Sequence, residues 1–213
     1  MKKNNKQTQY IFKPTGLDYV NENAIVVIVG ITPGPSQLEG SKTGLSPQEY
    51  KRTFAFKGAI RKNLIKMLNY IGVNNLLGIS SCESLWEDDF NLIEMTSLLK
   101  DATFVVTKKG EKGFNKAEKI LKSELLLRRM NEGFVKDCKK YGKAKLFVAC
   151  GEGVYATLNQ IKSLGKIKVP VIGIAHPSPN NGLRVSYYQE IDEPSLVWCK
   201  QKAEEAKMIV NEL

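Results

Sequence analysis

The sequence predicts an α/β protein built on a parallel sheet with helices on both faces. Three observations carry that prediction. Strand-like apolar runs alternate with helical ones along the chain, as they do where each crossover returns to a parallel neighbour. The runs are continuous rather than alternating, Ala24-Ile25-Val26-Val27-Ile28-Val29 most clearly, as strands buried on both faces must be. Two of them stop at Pro/Gly-rich turns with small polar side chains, the pattern of loops at the carboxyl edge of such a sheet.

Residues 1–23 read as a tail and a short leading element. The start, Met1 to Gln7, is basic with no apolar stretch behind it, so no secretory signal is expected. The first strand is 24–29, followed by a polar Gly/Pro/Ser stretch to about Pro47. Ile60, Leu64, Met67, Leu68 and Ile71 then form one apolar helical stripe, and Gly72 marks its stop. Leu92–Thr96 reads as a second strand, and Lys108–Gly113 as a charged turn. Residues 119–137 mix helical patterns with many basic side chains. Lys145–Cys150 is a third strand, turned by Gly151-Glu152-Gly153 into a helix carrying Val154, Leu158 and Ile161. Val169–Ile174 is the fourth strand, and 196–213 a closing helix. Residues 24–213 are therefore expected to form one domain.

The chain has 213 residues, 42% hydrophobic and 25% charged, ordinary for a globular domain with a sizeable core. No apolar run approaches the ~20 residues of a membrane span. The net charge of +10 favours a polyanionic partner, because neutralised phosphates release counterions. The four cysteines, Cys82, Cys138, Cys150 and Cys199, include no close C-x2-C pair, so no zinc site is expected and reduced, mostly buried thiols are. There is no G-x-x-x-x-G-K-[ST] loop for nucleotide phosphates.

Two turns hold the chemistry. The first strand runs into Gly30-Ile31-Thr32-Pro33-Gly34-Pro35-Ser36-Gln37. The fourth runs into His176-Pro177-Ser178-Pro179-Asn180-Asn181-Gly182, which carries the chain's one histidine. Together, in this order, they resemble the two signature motifs of the uracil-DNA glycosylase superfamily. The similarity extends through Phe54-Ala55-Phe56-Lys57-Gly58, Thr96-Ser97-Leu98-Leu99-Lys100 and the stretch from Phe114 to Leu127. It spans about residues 24–185 at low identity.

The resemblance implies a three-layer α/β/α fold around a mostly parallel four-stranded sheet. It also implies a monofunctional DNA N-glycosylase that flips a base out of DNA and leaves an abasic site. A monomer in the cytoplasm of a bacterial or phage-related host is expected, with DNA as partner and no membrane. No metal, cofactor or iron–sulfur cluster is expected, since the close N-terminal cysteine pair of cluster-bearing members is absent.

By the same resemblance, His176 stabilises the departing base through a neutral imidazole N–H. Thr32 matches the Asp or Asn that holds the attacking water; threonine can hydrogen-bond water but cannot take its proton at neutral pH. Gln37 is a candidate to help position it, and Glu39, Glu49, Asp88 and Asp89 are candidate substitute carboxylates. Gly30, Ile31, Pro33, Gly34, Phe56 and Ser97 are expected to surround the base. Phe56 is favoured over Phe54 for stacking, which contributes about 1–3 kcal/mol per base. Gly34 stands where uracil-specific enzymes keep a tyrosine wall, and Ser97 where relatives read the base with asparagine. Both changes enlarge the pocket, so the substrate is either uracil or a bulkier C5-modified pyrimidine such as those of phage DNA. Repair and anti-phage defence fit these two options. Ser36, Ser178, Asn180, Leu183 and Arg184 are expected at DNA, with Leu183 as the wedge because Asn180 occupies the usual leucine position. The alternatives are a core or surface histidine without a role, serines in plain turn chemistry, and a glycosylase fold that binds DNA without catalysis.

Overall fold

Val26–Gly30 is buried along its whole length, and the rest of the fold is arranged around it. A computed structural model describes residues 8–15, 19–186 and 197–213, without the side chains of Leu183 and Ser186. Within them the chain runs β1 (Tyr10–Lys13), β2 (Val26–Gly30), α1 (Pro35–Gly40), α2 (Pro47–Phe54), α3 (Ala59–Tyr70) and α4 (Val73–Leu77). It continues through β3 (Ile93–Ser97), β4 (Ala102–Thr107), β5 (Gly110–Gly113), α5 (Glu124–Met130), β6 (Leu146–Cys150) and α6 (Glu152–Ser163). It closes with β7 (Val171–Ile174), α7 (Gly182–Ser186) and α8 (Val197–Asn211).

The main sheet has the order β3-β2-β6-β7, and every pairing in it is parallel. Side chains alternate across its faces. Val26 and Ile28 face Leu64, Met67 and Leu68 of α3 and Ala203 and Ala206 of α8. Val27 and Val29 face Leu126 and Met130 of α5 and Val154, Leu158 and Ile161 of α6. The result is three layers, helices–sheet–helices, as the sequence predicts. The chain leaves β2 for β3 on one side and reaches β6 and β7 on the other. Ligands of open α/β sheets bind at such a switch point, outside the carboxyl ends of the strands.

A second sheet, order β1-β4-β5, is antiparallel. The leading segment supplies β1. The charged turn expected over 108–113 is instead the tip and return strand of a hairpin. The segment after β2 is not an extended loop: it holds α1 and α2. Ser46 caps α2 in a reciprocal capping box with Glu49, with Pro47 in its first turn. Ser-Pro-x-Glu is a sequence signal for a helix start. The region 119–137 is less regular than a single helix. α5 passes into a π-helical turn, Asn131–Val135.

Candidate active site

The carboxyl ends of β2 and β3 are in register, Gly30 opposite Ser97. A Cβ on Gly30 would lie 3.5 Å from Ser97 Oγ and 3.7 Å from the Phe56 ring, so both side chains stand in contact distance over the strand end. Phe56 has φ +51°, an outlier for a bulky residue. Strain of this kind costs about 1–3 kcal/mol and concentrates at functional sites.

These residues wall a cavity of about 220 Å³, together with Ile31, Thr32, Gly34, Ser36, Gln37, Phe114, Asn115 and His176. A second cavity of about 380 Å³ adjoins it and shares Ile31, Asn115 and His176; Ser178 and Asn180 lie on its wall. The residues expected at the site thus meet in one place, apart from Pro33, Arg184, Leu183 and the four candidate carboxylates. Pro33 is buried and outside the wall of the 220 Å³ cavity, a correction to its expected place on that wall. Arg184 is exposed on α7 and lines neither cavity. The Leu183 side chain lies outside the described residues. Glu39, Glu49, Asp88 and Asp89 line neither cavity, and Glu49 is occupied by the α2 cap.

His176 follows β7. The Ser178 backbone N–H donates to its Nδ1 at 3.2 Å. Nδ1 must then be the unprotonated nitrogen, which leaves Nε2 with the proton and makes it a donor. Burial lowers the His176 pKa below its usual value, so the neutral ring prevails at physiological pH. Gly151, at the end of β6, has φ +103°, and a Cβ there would sit 3.3 Å from His176 Cβ. The glycine therefore supplies both a positive-φ backbone that side chains rarely adopt and room for the imidazole.

Thr32 does something other than wait for a water. Its hydroxyl donates to the Asp101 carbonyl at 2.7 Å and accepts from the Thr103 N–H at 3.0 Å. Its proton is spent and one lone pair is used, leaving one acceptor site. The loop after β2 is thereby fastened to the start of β4. Thr32→Val is expected to destabilise the protein by about 1–3 kcal/mol, because two backbone groups lose their partner. Thr32→Ser should stay within about 1 kcal/mol of the parent, and urea unfolding of the pair checks both values.

The Gln37 carboxamide oxygen accepts the Gly34 N–H at 3.0 Å, so this side chain also shapes the loop. Phe54 packs its ring against Gly40, 2.5 Å from where a Cβ would stand, and belongs to the α1–α2 contact. Ser178 Oγ accepts from the Asn180 N–H at 3.3 Å, ordinary turn chemistry. Asn115 joins the site although it is not singled out within the Phe114–Leu127 stretch of the resemblance. It directly follows the hairpin and lies on both cavity walls, and no periodicity or motif marks it.

The four cysteines are free; burial pushes the Cys82 and Cys138 thiols up to about 12. Among the described residues, no group of three or more His, Cys, Asp or Glu could hold a metal ion. Among them, too, no helix is long and apolar enough to cross a membrane.

The chain is thus a three-layer α/β/α domain on a four-stranded parallel sheet, with a cavity at the carboxyl ends of its strands. The crystal structure of wild-type Pedobacter heparinus SMUG2 matches with a TM-score of 0.52 at 15% identity, over 89% of this chain and 77% of that one. In sequence, the chain is 28% identical over 191 residues to the uncharacterized protein YoxB of Bacillus subtilis (strain 168), covering 83% of this chain and 73% of YoxB. No protein-family model matches the chain.

Proposed function

We propose that this chain is a monofunctional DNA N-glycosylase that takes a non-canonical pyrimidine into the 220 Å³ cavity and releases it as the free base. The observation that carries the proposal is the hydrogen bond from the Ser178 N–H to His176 Nδ1, which assigns the proton of a neutral ring to Nε2. A neutral imidazole with Nδ1 committed presents a fixed Nε2–H donor at a cavity whose wall includes an aromatic ring and a short hydroxyl. Such a donor stabilises negative charge as it develops on a leaving pyrimidine oxygen. The C1′–N1 bond breaks with its electron pair going to the base. Water then adds to the sugar cation from the opposite face, and the proton it sheds is taken up by the base anion, leaving an abasic site and a neutral free base. Asn115 is the added candidate for holding the base or the sugar. Phe56 is the stacking partner, and the hairpin-anchored loop around Thr32 keeps the floor rigid.

The substrate class follows from Gly34. It lines the cavity, and nothing stands within 4 Å of the position a Cβ would take there. A substituent at pyrimidine C5 fits where a tyrosine would exclude it. Gly34→Tyr is therefore expected to fold normally, retain uracil release, and lose release of hydroxymethylated or glucosylated cytosine by about tenfold or more, within the range that pocket contacts supply. Equal activity of both proteins on all substrates would contradict this assignment.

The test of the function is alkali cleavage at abasic sites after incubation with DNA containing uracil, hydroxymethylcytosine or glucosylated hydroxymethylcytosine, in single and double strands. Release from at least one substrate is expected; binding without release from any would overturn the enzymatic reading. Two observations favour the second reading, a base-flipping DNA binder without chemistry. No carboxylate among the described residues lines the 220 Å³ cavity, and the Thr32 proton is already spent.

A further inference from the structure

The β4–β5 hairpin grows out of the cavity wall. At its base, the Asp101 carbonyl and the Thr103 N–H hold Thr32, the Phe114 N–H donates to the Thr103 carbonyl at 2.9 Å, and Phe114 and Asn115 continue into the cavity lining. From there it runs outward, exposed from Val106 through Gly113. Its turn is Lys108-Lys109, and Lys112 returns on β5, the edge strand of the second sheet. The hairpin's one acidic residue, Glu111, is bonded to Lys13 of β1 at 2.5 Å. Among the described residues no ion pair engages Lys108, Lys109 or Lys112.

We propose that this hairpin is a DNA-gripping arm, binding phosphates of the strand or duplex that flanks the flipped nucleotide. The inference rests on the glycosylase reading for its partner. From Ala102 to Thr107 the strand extends about 17 Å, at about 3.3 Å per residue. That matches about five base-pair steps of 3.4 Å. Three uncompensated ammonium groups on a stiff two-stranded support, rooted beside the base site, meet the charge and spacing of a phosphate backbone. The anchorage also links arm and loop: what holds the arm in place holds Thr32.

The test compares a Lys108→Ala/Lys109→Ala/Lys112→Ala protein with the parent. A control protein, Lys145→Ala/Lys166→Ala/Lys168→Ala, loses the same charge from exposed positions just before β6 and β7, at the opposite edge of the main sheet. The probe is a duplex with a central tetrahydrofuran abasic analogue, titrated by fluorescence anisotropy over a range of salt concentrations. The slope of log K against log salt should shallow by about 2–3 in the hairpin variant. Binding should weaken about 10- to 100-fold at physiological salt. The control should keep the parent slope, and a triple Lys→Arg hairpin variant should restore it.

An unchanged slope in the hairpin variant, or equal changes in hairpin and control variants, overturns the arm. Hairpin-dependent binding without base release on any substrate overturns the glycosylase reading and leaves the arm standing. Base release with an unchanged slope does the reverse. No binding of the duplex by the parent protein overturns the arm, and the glycosylase reading then stands or falls on base release alone.

Discussion

Lys51→Met is expected to lower the unfolding free energy by about 3–5 kcal/mol, the cost of leaving a buried charge without its partner. Lys51 lies on α2 with 1% of its surface exposed, and Glu94 lies on β3 with 1%. The Lys51 ammonium donates to Glu94 Oε1 and to the Tyr19 carbonyl. Glu94 Oε2 accepts the Asn21 N–H at 2.7 Å. Burial lowers the pKa of the lysine and raises that of the glutamate, while their mutual attraction opposes both shifts. The pair ties three segments together: α2, the edge strand β3, and the leading segment around residues 19–21. The double variant Lys51→Met/Glu94→Leu is expected to recover part of the loss, since replacing both ions with apolar groups removes two desolvation costs at once. Urea unfolding of both single variants and the double variant measures the coupling. A single variant within about 1 kcal/mol of the parent would contradict this role for the α2 anchor.

The second large effect concerns His176. Removing a preorganised donor aimed at developing charge costs about 10²–10³ in rate. His176→Ala is thus expected to slow single-turnover base release by that factor while leaving DNA affinity within about threefold, because the donor acts on the leaving base. The pH dependence has a definite sign. Burial lowers the pKa of His176 from 6.5, so the ring is neutral above that value and base release should be level there. As pH falls through the lowered pKa, a proton on Nδ1 meets the Ser178 N–H and the loop is disrupted, so release should fall. Stability follows the same direction. The unfolded chain takes up a proton near pH 6.5 and the folded chain only at lower pH. This residue's contribution to stability is therefore present above about 6.5 and lost as pH falls toward the folded pKa. A rate that rises on acidification would contradict the neutral-donor role.

The main sheet is legible in the sequence because its strands are buried on both faces, and a continuous β-branched run such as Val26–Val29 suits that environment above any other. The same logic fails for β4 and β5. Gly110-Glu111-Lys112-Gly113 is fully exposed, so nothing in its hydrophobic pattern marks it as strand; its structure comes from pairing with β4. Helix α2 carries its capping signal in Ser46-Pro47-x-Glu49, hidden within a stretch whose composition reads as loop. The two turns at the ends of β2 and β7 converge as their motifs suggest, because parallel strands put their carboxyl ends on one edge. Which hydrogen bonds those side chains make is not legible. Thr32 is bound by Asp101 and Thr103, some 70 positions away in sequence, and only the folded chain brings them together. Asn115 lies in the Phe114–Leu127 stretch of the resemblance, but its place on both cavity walls is set by the fold in the same way.

In the proposed mechanism the Nε2–H of neutral His176 drives release of a pyrimidine from DNA. The decisive measurement quantifies the free base by mass spectrometry in single turnover, with parent and His176→Ala proteins on the same uracil- and hydroxymethylcytosine-containing duplexes. Free base from at least one duplex is expected with the parent, and about 10²–10³ slower release with the variant. Equal release by the two proteins, or none by the parent under conditions where it binds the duplex, would contradict that mechanism.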